Sequence, residues 1–398
     1  MQRWEKNLYT AWISQLIAII GFSFVFPFIP FYIQELGITD VGQVARWTGI
    51  LAAIPALTMA VFSPIWGFLA DKYGRKLMVE RAMFGGAIVI ACMGLATNVY
   101  QLLALRIIQG ALTGTVPASV ALISTTTPRE RLGFSLGFMQ TAVFSGASIG
   151  PLIGGVTADF LGYRCSFYIT GSLLFIAGLI VLFLVKEKFQ PLLGEEVSEG
   201  KFWKNLWIVF SSRQLLAMIV ILFCVRFARM IVYPIFPLFV QFLANTSFRI
   251  ASITGVMLAS AGITSALSSA IIGRVSDKTG YKNILIISTL GAGMFYFSQA
   301  FAGSIFQLFM LQIALGFFFG GIMPTANAII GFSVSEEHRG KVYGITASAT
   351  ALGKATGPLA GGIIASTLNL RAIFIFSGVI LMAVGIWVAT VVRESKNG

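Results

Sequence analysis

Apolar residues run along this chain in long blocks. Twelve of them, at roughly 8–33, 47–69, 77–97, 100–122, 134–160, 165–186, 214–241, 250–273, 283–303, 305–330, 341–366 and 370–392, come near or exceed the ~20 mostly apolar residues that a helix needs to cross a bilayer. The pattern predicts an all-α membrane protein of twelve spanning helices. The connections are short except for one polar stretch between Lys186 and Arg213. That stretch sets the expected organisation: a six-helix bundle over 1–186, a linker over 187–213 and a second six-helix bundle over 214–398. The first block follows Arg3, Glu5 and Lys6, runs too long for a signal-peptide core and is not closed by a small-residue cleavage site, so it is expected to stay as helix one.

Composition strengthens this reading: of 398 residues, 57% are hydrophobic and 11% charged, which excludes a soluble globular class. The net charge of +13 raises the question of nucleic acid, and its distribution answers it. When the connections are assigned alternately to two sides, twenty of the 28 basic residues fall on the side of the termini and the linker. By the positive-inside rule that side is the cytoplasm, so the basic excess is a topology signal. Cys92, Cys165 and Cys224 are scattered within or beside apolar blocks, which gives neither a disulfide framework nor a metal spacing.

An internal repeat runs through the sequence. Pro27 and Pro30 recur as Pro234 and Pro237 at an offset of 207, and Gly67, Asp71 and Gly74 recur as Gly273, Asp277 and Gly280 at 206. Pro117 matches Pro324; Gly133, Gly137, Gly150, Pro151, Gly154 and Gly155 match Gly340, Gly344, Gly357, Pro358, Gly361 and Gly362; Arg164 and Gly171 match Arg371 and Gly378. One register held over five helices implies two parallel halves, an arrangement that places a substrate site near the bilayer midplane between them.

Gly67-Phe68-Leu69-Ala70-Asp71-Lys72-Tyr73-Gly74-Arg75-Lys76 and its copy Gly273-Arg274-Val275-Ser276-Asp277-Lys278-Thr279-Gly280 resemble the hallmark loop of the major facilitator superfamily. The glycines permit a tight turn, and Asp71 is suited to meet a helix N-terminus or an arginine, with Glu130 or Arg131 completing a cytoplasmic gate. Leu103 to Gly110, with Arg106 and Gln109, resembles the helix-four motif in which a buried arginine is linked to proton coupling; an arginine at such a place costs about 2.5–3.5 kcal/mol on insertion scales and normally turns toward a cavity or partner. Ser145 to Gly155 resembles the glycine-proline motif of antiporters in this family. Gly146, Gly150 and Gly154 make one flat stripe for close packing, beside Pro151 and Gly155. The same stretch formally matches a hydrolase nucleophile elbow, Gly146-Ala147-Ser148-Ile149-Gly150, yet that motif needs a strand-turn-helix and a histidine partner. The only histidine is His338, in a connection.

Prolines with aromatic neighbours, Phe26 to Tyr32 in helix one and Tyr233 to Phe239 in helix seven, suggest kinks whose rings, Tyr32 and Tyr233 among them, line a pocket for amphipathic molecules. Arg226 and Arg229 in helix seven share a face, and Arg226 and Lys354 in helix eleven lie about a dozen residues from their cytoplasmic ends, roughly 18 Å at 1.5 Å per residue. These cations are expected to face the central cavity, with no carboxylate clearly inside the membrane to meet them. Many drug/proton antiporters, which this chain otherwise resembles, place an acid there. The sequence therefore reads as a twelve-helix exporter working by alternating access, proton-coupled, monomeric, taking amphipathic small molecules or drugs, in the inner membrane with both termini cytoplasmic. An exporter of an endogenous anionic, zwitterionic or lipid-like metabolite is the alternative, and a non-transporting membrane sensor a distant one. No enzyme activity, metal, organic cofactor or nucleic-acid partner is expected, the proton being the coupling ion.

Overall fold

A computed structural model of the chain describes residues 2–187, 189, 212–244, 249–334 and 336–392. The predicted linker at 187–213 lies almost wholly outside the described residues, as do the side chains of Asp277 and His338. Among the described residues every regular element is a helix, and they form twelve long rods. In chain order these are α1 Arg3–Glu35, α2 Val41–Tyr73, α3 Arg75–Met93, α4 Val99–Thr126, α5 Leu132–Leu161, α6 Tyr163–Leu184, α7 Arg213–Ala244, α8 Ile250–Thr279, α9 Tyr281–Gln299, α10 Ile305–Phe332, α11 Glu336–Thr367 and α12 Ala372–Val391. Nine of them are both long and apolar enough to cross a membrane among the described residues. The exceptions are α3, α9 and α11; α3 carries Arg75, Lys76, Glu80 and Arg81 in its first two turns, and α11 is rich in glycine, serine and threonine.

Prolines shape the rods as their chemistry requires. Pro27 and Pro30 lack the N–H of the helical ladder, and α1 passes through a 3₁₀ turn at Phe26–Phe28 before resuming at Ile29. Pro234 and Pro237, their counterparts, break α7 between Val232 and Phe236 in the same way.

The chain forms two compact units, one of Met1–Asp40, Ile50–Glu195 and Thr246–Ala259, the other of Val41–Gly49, Glu196–Asn245 and Ser260–Gly398. Within the first, α1 packs on α5 and α6, and α3 on α4 and α6. Within the second, α7 packs on α11 and α12, and α9 on α10 and α12. The duplication reaches single hydrogen bonds. Thr170 Oγ1 donates to the Gly21 carbonyl at 3.1 Å, and its copy Ser377 Oγ to the Ala228 carbonyl at 2.9 Å. Asn98 and Ser304 cap α4 and α10 by accepting from the amides of Gln101 and Gln307, whose side chains return a bond to the amides of Thr97 and Gly303; such reciprocal pairs satisfy amides that a helix start leaves open. Arg164 and Arg371 donate to the carbonyls of Gly94 and Ala300. Here the halves diverge: Arg164 pairs with Glu35 at 2.9 Å, whereas Arg371 lies over the ring of Phe242, the residue at the matching position.

Candidate functional site

Arg106 is buried within the first unit. It is 2% exposed, its Nε donates to the Leu51 carbonyl at 2.9 Å, its Nη1 to Gln109 Oε1 at 2.7 Å, and the guanidinium lies 4.4 Å from the Phe26 ring centroid. Among the described residues Nη2 has no hydrogen-bond partner. An unmet buried donor carries a cost of about 1–3 kcal/mol or more, so an acceptor that reaches Nη2 would be favoured there. Gln109 is 4% exposed and fixes one arm of the fork. Tyr32 has a different place from the one expected of it. It is 1% exposed, its hydroxyl contacts the carbonyls of Met93 and Ala96 at 2.8 and 3.2 Å, and its ring packs on Phe167. Such a ring ties α1 to α3 and α6 and does not line a pocket.

In the second unit Arg226, Arg229 and Tyr233 are all partly accessible on α7, although neighbouring positions Val225, Ala228, Ile231 and Val232 are buried. Arg229 lies 5.2 Å from the ring centroid of Phe319 on α10. Gly353 of α11 sits directly against α7, where an added Cβ would meet the Phe223 carbonyl at 2.8 Å and Arg226 Cβ at 3.2 Å. That contact brings the next residue, Lys354, to the same depth as Arg226, and its side chain is exposed. Three cationic side chains thus occupy adjoining turns of two packed helices.

The duplicated loop is built around Gly74, whose φ of 100° is a conformation that costs glycine least. Its copy Gly280 has φ 92°. Asp71 forms an ion pair with Arg75 at 3.0 Å one turn on, and no ion pair reaches Glu130 among the described residues; Glu130 is exposed in the Arg129–Arg131 turn. Gly67 and Gly273 have open space where a side chain would be. The acid that meets a helix N-terminus here is Glu187, which accepts from the amides of Arg75 and Lys76 at 3.1 and 2.8 Å and so caps α3. Arg81, beside this turn, lies over Trp66 with 3.7 Å to the ring centroid.

The glycine stripe packs as its spacing requires. Gly146, Gly150 and Gly154 lie against Ile19, Ser23 and Phe24 of α1, and Gly353, Gly357 and Gly361 against Phe223, Met230 and Ile231 of α7. Gly155 and Pro151 face elsewhere. In the first unit, Gly155 abuts the Ala251 carbonyl and the Pro151 carbonyl abuts Gly255, so α5 and the start of α8 meet backbone to backbone. In the second unit, Gly362 abuts the Ala45 carbonyl and the Pro358 carbonyl abuts Gly49, which is the same seam between α11 and the start of α2. Sequence reasoning found these glycines and not their partners. It also missed Asp159, whose carboxylate accepts from the amides of Ala251 and Ser252 at 3.2 and 2.7 Å. No cluster of three metal-ligating side chains occurs among the described residues.

The family model described as Major Facilitator Superfamily matches residues 11–263 and 220–398. Proteins named multidrug resistance protein MdtG are similar along nearly the whole chain. That of Escherichia fergusonii is 35% identical over 382 residues, covering 95% of this chain and 92% of its own length. Those of Salmonella arizonae and Enterobacter lignolyticus are 34% and 32% identical, covering 95% and 98% of this chain and 93% of their own lengths. Among solved structures, a bacterial homolog to the human lysosomal transporter Spinster, in an inward-facing and occupied conformation, has a TM-score of 0.79 at 16% identity over 100% of both chains. The nucleoside transporter NupG has a TM-score of 0.76 at 15% identity, covering 97% of this chain and 100% of its own.

Proposed function

The chain belongs to the Major Facilitator Superfamily, and from that membership we propose that it is a secondary transporter that exports amphipathic small molecules, drugs among them, in exchange for protons. The observation that carries this reading is the similarity of about a third of all positions, spread over 95% of the chain, to proteins named for multidrug resistance. The seams between α5 and α8 and between α11 and α2 give alternating access a physical form: flat backbone contacts close and part without a side chain having to change rotamer. The protein sits in the inner membrane as a multi-pass monomer, with both termini and the linker on the basic, cytoplasmic side.

In this reading Arg226 and Arg229 attract an anionic or zwitterionic part of the substrate, Arg106 with Gln109 tunes the opposite wall, and Lys354 carries the proton. The cations support export of molecules bearing an acidic group, an endogenous metabolite or lipid-like anion included.

Purified protein in vesicles with an imposed pH gradient, offered cationic, neutral and anionic dyes, tests both levels. Gradient-dependent movement that favours anionic and zwitterionic dyes is expected, with Arg226→Gln raising the KM of the anionic dyes about tenfold, the loss of one charged hydrogen bond, and sparing neutral ones. Transport confined to cations overturns the role of the arginines. A Lys354→Ala variant that still exports at an undiminished, proton-dependent rate overturns that of the lysine.

A further inference from the structure

The two seams are copies in their glycines, and the one between α5 and α8 carries a further contact. At the end of α5, Asp159 supplies the N-terminal cap of α8, holding the amides of Ala251 and Ser252, and the next residue, Phe160, lies under the guanidinium of Arg249 with 5.6 Å to the ring centroid. Arg249, immediately before α8, is the one described residue other than glycine with positive φ, at 55°. At the corresponding place on α11 stands Ser366, whose hydroxyl is turned back to the Ile363 carbonyl of its own helix. The other seam's helix, α2, is preceded by its own acid, Asp40. The start of α8 has an arginine there and borrows its cap from another helix.

We propose that Asp159 is a positioning residue for transport: by capping α8 from α5 it clasps this seam, so opening of the outer side costs the α8 N-terminus its cap. The proposal rests on the export reading above. Until the seam parts, both amides are satisfied; when it parts they are left to water, and loss of such a cap is worth roughly a factor of five in equilibrium. Because the bond is a cap, an amide oxygen serves nearly as well as a carboxylate, since asparagine and aspartate rank together at this position. A proton carrier at the same place behaves in the opposite way, because asparagine cannot titrate.

The test places spin labels at Leu161 and Val256, both exposed, in a background with Cys92, Cys165 and Cys224 replaced by serine, and measures their distance distribution in nanodiscs without substrate or gradient. Asp159→Ala is expected to enrich the long-distance population about fivefold, while Asp159→Asn stays within about twofold of the parent. Ser252→Pro removes one of the two capped amides at a position in the first turn that tolerates proline and is expected to reproduce the alanine shift, which keeps the proposal testable where the alanine variant fails to insert. Dye export by Asp159→Asn is expected to retain its dependence on the pH gradient. Unchanged distances in both Asp159→Ala and Ser252→Pro overturn the clasp, and so does an asparagine variant that opens as far as alanine. Since the distances are read without any transport, absence of dye export bears on the export reading and leaves the clasp to stand or fall separately.

Discussion

Arg106 and Tyr32 carry the same expectation from sequence, a place on the wall of a ligand's pocket, and burial separates them. Each is almost fully enclosed, but Arg106 keeps a donor without a partner among the described residues, whereas the side-chain oxygen of Tyr32 is spent on two carbonyls. Replacing Tyr32 with phenylalanine removes the hydroxyl and keeps the ring, so the variant should lose about 1 kcal/mol of stability, the net worth of a neutral hydrogen bond. Thermal unfolding in detergent checks the loss, and dye export checks that KM is unchanged; a raised KM would return Tyr32 to the pocket wall. Arg106 was legible because an arginine inside an apolar block demands a reason. Asp159 and Glu187 were not, because an acid at the end of a block reads as a solvated boundary. Which helix start it meets depends on how distant segments pack.

At the scale of elements, composition and spacing specified most of the architecture. Proline pairs at one offset predicted kinks, and both rods are interrupted there; glycines at every fourth position predicted a close helix contact, and both stripes have one. The copies make quantitative comparison possible. A Cβ on Gly150 would meet Ser23 Cβ at 2.5 Å and the Ile20 carbonyl at 2.9 Å, and one on Gly357 would meet Met230 Cβ at 2.6 Å and the Phe227 carbonyl at 2.8 Å. Valine at either position therefore overpacks a helix pair that has no room to yield. Each variant is expected to lose about 1–3 kcal/mol, the usual range for overpacking, and by similar amounts. Unfolding of the two purified variants side by side decides it, and a several-fold difference in the losses would show that the stripes are not equivalent. What the pattern did not disclose is that Gly155 and Pro151, in the same motif, serve a different neighbour from the stripe beside them.

At the scale of the whole molecule, the duplicated sequence implies duplicated closure. Gly49 and Gly255 hold the same place in their seams at an offset of 206, each against a proline carbonyl of the facing helix. A side chain at either position holds its seam apart, for the obstacle is backbone and cannot rotate away. In the alternating-access cycle proposed above, these two seams together seal the outer side. Gly49→Val and Gly255→Val are therefore each expected to abolish export nearly completely and to leave the outer side open, and the double variant should be no worse than either alone. Reaction of an impermeant maleimide with a cysteine placed at the outer end of α5, followed in spheroplasts, reads the open state directly, and dye efflux from the same cells reads the loss of transport. If one single variant keeps normal efflux, closure does not need both seams, and the equivalence read from the repeat fails for the outer side.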